Sequence, residues 1–148
     1  MMFDETMIEK TLGFWVNRAA FLMRADLVRR FREAGHDITA EEFAILNRVH
    51  LDQAPTLKEV AEKTTKDKTT MTRFVDKLVK KGLLRRRPDP EDRRCVRVHL
   101  TDRGEVIRHD LLPIAMELLK ESVGGIPDDE VAITMKVLRG ISENLGHV

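Results

Sequence analysis

The stretch from Thr56 to Gly82 leaves this chain the least freedom. Thr56-Leu57-Lys58-Glu59 has the form of a capping box, in which the threonine hydroxyl takes the third amide and the glutamate reaches back to the cap. It opens a short helix whose apolar positions are Leu57, Val60 and Ala61. Thr64-Thr65-Lys66 is polar and β-branched, and reads as a turn. Asp67 caps a second helix over 67–81, and Gly82 follows where a left-handed residue closes a helix. Met71, Phe74, Val75 and Leu78 stand at i, i+3, i+4 and i+7, which makes one apolar face. Lys68, Thr69, Thr72, Arg73, Lys77 and Lys80 are left for the exposed faces. Two short helices and a three-residue turn make a helix-turn-helix pattern.

The flanks extend that unit. Residues 83–87 read as a short strand, and Cys95-Val96-Arg97-Val98-His99-Leu100 alternates apolar and polar as a half-buried strand does. Between them Pro88-Asp89-Pro90-Glu91-Asp92-Arg93-Arg94 is a turn. Two strands with a basic tip after a helix-turn-helix form a wing. Upstream, Thr39-Ala40-Glu41-Glu42 is another capping box, before a helix that packs on Phe43, Leu46 and Val49.

The ends are helical. Ile8, Leu12, Trp15, Ala19 and Leu22 form one apolar stripe, and Phe14, Phe21, Ala25, Val28 and Phe31 a second. Two stripes predict a helix of about 25 residues buried on more than one side, ended by Gly35. Such a helix is long for a lone domain, and a partner subunit would cover the surplus. Thr101 caps a helix over 102–122, with a kink expected at Pro113. Gly124-Gly125 breaks the chain, and Pro127 with three acids starts a last helix carrying Val131, Met135, Leu138, Ile141 and Leu145. The expected fold is mainly α with a small two-stranded wing.

Charge is unevenly spread. The total of 26 Lys/Arg against 25 Asp/Glu gives +1, yet residues 55–100 hold 14 against 7 and the remainder 12 against 18. A basic middle between acidic ends is an electrostatic footprint for a polyanion. One cysteine, Cys95, excludes an internal disulfide, and the reducing cytoplasm is the expected location. No apolar run reaches the roughly 18 residues of a membrane span, and Met1-Met2-Phe3-Asp4-Glu5 carries acids where a signal peptide carries bases. Tyrosine is absent, and the two serines, Ser122 and Ser142, have no visible base, so an enzyme is not expected and no cofactor is called for.

Taken together, Lys68-Thr69-Thr70-Met71-Thr72-Arg73-Phe74-Val75-Asp76-Lys77-Leu78, then Gly82-Leu83-Leu84-Arg85-Arg86, then 89–94 and 98–104, resemble the MarR family of winged-helix transcription regulators. The resemblance implies a homodimer, with 1–34 and 102–148 as the dimerisation region and 35–101 as the winged helix on double-stranded DNA. It also implies a pocket for a small aromatic or phenolic ligand, for which Trp15, Phe21 and Phe43 are candidates. Lys68, Thr69, Thr70, Thr72 and Arg73 would meet the major groove, with Arg73 the best base reader because its fork can take guanine O6 and N7 together, while Lys77 and Lys80, deeper along the helix, would face phosphate or solvent. Either Arg93 or Arg94 would enter the minor groove, with Asp92 bracing the wing through ion pairs. The plainer reading is that Asp92 and Arg94 only hold the turn. Arg85, Arg86 and Arg87 would approach phosphates or pair with Asp89 and Glu91. The rival readings are a metal sensor using His36 or His109, a thiol sensor using Cys95, and a winged-helix protein-interaction module without specific DNA binding. No metal-ligand spacing supports the first.

Overall fold

The computed structural model describes residues 4–64 and 66–146, so the sequence readings at Met1, Met2, Phe3 and Thr65 fall outside the described residues. A short 3-10 turn, Glu5–Lys10, precedes helices α1 (Leu12–Glu33), α2 (Ala40–Asp52), α3 (Leu57–Lys63) and α4 (Lys68–Lys80). Strands β1 (Leu84–Pro88) and β2 (Val96–Leu100) follow, then helices α5 (Asp102–Ser122) and α6 (Asp128–Leu145).

The helix ends are set by local chemistry. Both capping boxes form: Glu42 N donates to Thr39 Oγ1 at 3.1 Å and Glu59 N to Thr56 Oγ1 at 3.2 Å, each glutamate accepting from its cap amide in return. α1 and α4 close alike. Gly35 and Gly82 have φ of +89° and +76°, and the next amide reaches back to Phe31 O at 2.8 Å and to Leu78 O at 3.0 Å. Each is the six-to-one closure that needs a left-handed residue after the cap.

One expected helix is divided. The N-terminal stripe does not run unbroken through residue 11, because Thr11 is extended there. Its hydroxyl donates to Ile8 O at 2.6 Å and accepts from Phe14 N at 3.3 Å, ending the 3-10 turn and capping α1. α5 continues through Pro113.

The core lies in the middle of the chain. Ile45, Leu46, Val49, Val60, Met71, Val75, Leu78, Leu84 and Val98 are buried, with Phe31 of α1 and Leu111 of α5 closing over them. β1 and β2 pair antiparallel with Leu84 opposite Leu100 and Arg86 opposite Val98. A third edge is added where Val98 N donates to Pro55 O at 2.9 Å and Thr56 bridges Arg97. The wing root is therefore held by the chain between α2 and α3. At that root Thr101 Oγ1 donates to Gly82 O at 2.6 Å and accepts from Gly104 N at 3.0 Å, joining the end of α4 to the start of α5.

Burial of α1 on two sides is not found within one chain: Phe31 is its one buried residue. Leu12, Trp15, Phe21 and Leu22 of α1, Met116 and Leu119 of α5, and Ile133, Met135 and Leu145 of α6 are exposed. α6 buries nothing. No helix among the described residues is long and apolar enough to cross a membrane.

Candidate nucleic-acid interface

The buried face of α4 fixes what the other face presents. Met71, Val75 and Leu78 are buried and Phe74 half-buried, with Lys66 Nζ 5.9 Å from the Phe74 ring centroid. Lys68, Thr69, Arg73 and Lys77 are exposed, and among the described residues no hydrogen bond or ion pair engages their side chains. Thr70 and Thr72 differ. Thr70 Oγ1 donates to Asp67 Oδ2 at 2.9 Å and Thr72 Oγ1 to Lys68 O at 2.8 Å. Both are half-buried, so they shape the helix start as well as facing outward. Of the six α4 candidates, four have no side-chain partner among the described residues and two bond to the start of their own helix.

The wing tip is a tight turn. Arg94 N donates to Asp92 Oδ1 at 3.0 Å, and Cys95 N to Asp92 O at 3.0 Å. Asp92 thus shapes the turn through backbone amides, which leaves the side chains of Arg93 and Arg94 exposed without a partner among the described residues. The wing's own ion pair lies elsewhere: Arg97 Nε meets Asp89 Oδ2 at 2.9 Å, and Arg97 Nη1 donates to Ala54 O at 2.9 Å. Arg86 pairs with neither Asp89 nor Glu91. It reaches across to Asp76 of α4. Arg85 and Arg87 stay exposed. Burial first, then the nearby Arg87, Arg85 and Arg97, push His99 below its ordinary 6.5.

Two carboxylates support these elements. The Thr70 amide and hydroxyl hold Asp67 below its ordinary 3.8, and the Glu91 amide followed by Arg97 does so for Asp89. A lowered carboxyl contributes stability above its unfolded value and loses it as pH falls through its folded one. The start of α4 and the wing should therefore loosen below pH 3.8. Amide exchange at Thr70 and Glu91 should rise there, and Asp67→Asn should blunt the rise at Thr70 alone. Equal exchange at pH 3 and pH 6, once corrected for intrinsic rates, would refute this.

A separate cavity of about 310 Å³ lies between α1, α2 and α5, lined by Ala20, Met23, Leu27, Phe43, Ala115 and Leu118 among others. Phe43 is the one pocket candidate that lines it. Trp15 and Phe21 are 58% and 66% exposed on α1 and line other surface. Periodicity marked all three as apolar but could not assign their faces. Cys95 is half-buried with Sγ 3.7 Å from Asp92 Oδ2. His36 borders a cleft with Lys80 and Arg103, and His109 is exposed on α5. Among the described residues no three His, Cys, Asp or Glu side chains converge as metal ligands.

Residues 38–96, from just before α2 to the start of β2, match the model of the MarR family. The multiple antibiotic resistance protein MarR of Escherichia coli (strain K12) is 33% identical over 108 residues, spanning 71% of this chain and 74% of that protein. The chain belongs to the MarR family. This MarR family protein is accordingly a winged-helix, DNA-binding transcriptional regulator and not an enzyme. Its fold superimposes on a mutant MarR from E. coli complexed with operator DNA, with a TM-score of 0.84 at 27% identity, covering 94% of this chain and 99% of that one. It superimposes equally on Bordetella bronchiseptica BpsR, whose DNA binding is regulated by 6-hydroxynicotinic acid, with a TM-score of 0.84 at 25% identity over 96% and 98% of the two chains.

Proposed function

We propose that this MarR family protein is a cytoplasmic, ligand-responsive repressor that binds a pseudo-palindromic operator as a homodimer. The observation that carries the reading is the outer face of α4, where Lys68, Thr69, Arg73 and Lys77 project without side-chain partners among the described residues from a helix anchored on its other side. A major groove admits such a helix, and the arginine fork matches guanine. Thr70 and Thr72 supply hydroxyls and methyls beside it. The minor groove would receive Arg93 or Arg94, attracted by its negative potential.

The dimer would form from 1–34 and 102–148, with 35–101 on DNA. Its support is the apolar surface of α1 and α6 that one protomer leaves exposed. Two-fold symmetry then sets half-sites about 10 bp apart, or a multiple of that. A dimer seated on an operator excludes polymerase by its volume. The cavity beside Phe43 is the site for a small aromatic or phenolic ligand. Such a ligand weakens DNA binding by as much as it prefers the dimer form in which the two α4 helices are misplaced for the major groove.

The test is selection of duplexes from a random pool by the purified protein at near-physiological salt. Enrichment of a palindrome with that half-site spacing supports the reading. An unenriched pool refutes it and leaves the basic surface as a non-specific or protein-binding one.

A further inference from the structure

We propose that Asp76 is a positioning residue that decides how this protein reads the base pairs beside its major-groove contact, by holding the wing to α4 through Arg86. This rests on the reading of α4 and the wing as the two DNA-contacting elements. Asp76 follows Arg73 by three residues and is exposed, so it shares the side of α4 offered to DNA. A bare carboxylate there would repel a polyanion. Arg86 neutralises it: its Nη2 donates to Asp76 Oδ1 and, at 3.5 Å, to Thr72 O.

The strand explains why Arg86 and not a neighbour does this. Side chains alternate along β1, so Arg85 and Arg87 are exposed together while Arg86 is half-buried against α4. Among the described residues no other side-chain hydrogen bond joins α4 to β1 or β2. The second strand is fixed independently of that pair, by Arg97 Nη1 to Ala54 O and Val98 N to Pro55 O. The wing is thus pinned at β2 to the turn before α3 and at β1 to α4. The second pin sets the angle between Arg73 and the tip arginines. It also withholds one guanidinium from phosphate.

These two consequences have opposite signs, and that makes the proposal testable. The pool selection and a salt titration on a random-sequence duplex would be repeated with Asp76→Asn and with Arg86→Gln. Asp76→Asn should keep the major-groove preference yet lose about tenfold discrimination at the wing-side base pairs, the scale of one mismatch. Its salt slope on random DNA should steepen by about 0.9 for each protomer, as the freed Arg86 takes a phosphate. Arg86→Gln should lose the same discrimination with no steepening. A melting temperature lowered with the base preferences intact would show a merely structural clamp and overturn the proposal, as would wild-type discrimination in both variants. A wild type with no wing-side preference would overturn the placement of the wing and this proposal with it, while an enriched palindrome in that same selection would still support α4.

Discussion

Gly104→Ala should be the most damaging small substitution in this protein. A β-carbon at residue 104 would stand 2.1 Å from Leu83 O and 3.1 Å from Leu100 Cδ2. The first of these atoms is backbone and cannot turn aside. Leu83 O is also committed, accepting from Thr101 N at 3.1 Å. Relief requires α5 to move away from the joint where α4, both strands and α5 meet. Overpacking in a closed core costs about 1–3 kcal/mol, and a backbone clash belongs at or above the top of that range. At roughly 2–4 °C per kcal/mol for a chain of this size, the melting temperature should fall by about 10 °C. The wing root would shift with it, so DNA affinity should fall even well below the melting point. A variant melting within about 2 °C of wild type would show that α5 yields freely there, against the packing described.

Lys81→Met should come next, and its partner variant gives the result a sign. Glu42 is fully buried, and Lys81 Nζ lies 3.0 Å from its Oε2 and 3.1 Å from its Oε1. The same ammonium donates to Asp37 O at 2.7 Å. The pair joins the start of α2 to the end of α4. Removing the cation leaves a buried carboxylate uncompensated, which costs about 3 kcal/mol or more. Glutamine at position 42 still suits a capping box, so Lys81→Met with Glu42→Gln carries no buried charge. The double variant should be more stable than Lys81→Met alone. Urea midpoints of the two singles and the double measure the coupling. Additive losses would contradict a buried ion pair.

These two sites show where sequence reading stops. Thr39, Thr56, Asp67, Gly35 and Gly82 were legible because each acts on groups within a few residues, and all five end their helices as expected. Thr11 used the same chemistry, yet the apolar stripe running across it hid the break. Glu42 and Lys81 are 39 residues apart, and nothing local marks them as partners. The same holds for Gly104 against Leu83 and for Arg86 against Asp76, since fold topology creates these contacts. In the interface, the exposed face of α4 followed from its apolar face. That the Thr70 and Thr72 hydroxyls bond to the start of their own helix did not, because hydroxyl direction is decided by rotamer. Asp92 was expected to brace the wing through ion pairs. It accepts backbone amides at the tip, while Asp89 makes the ion pair with Arg97. Several carboxylates and arginines in one turn leave that pairing undetermined by sequence.

In the proposed complex Arg73 reads a base while its neighbours grip the backbone. A profile of affinities for every single-base-pair variant of the selected operator, measured for wild type, Arg73→Ala and Lys77→Ala, separates the two roles. Arg73→Ala should flatten discrimination at one base pair in each half-site by about 1–3 kcal/mol and leave the other positions selective. Lys77→Ala should weaken all duplexes alike and lower the salt slope by about 1. An Arg73→Ala profile parallel to wild type at every position would rule out Arg73 as the base reader, because α4 would then be reading DNA without the residue that best fits the task.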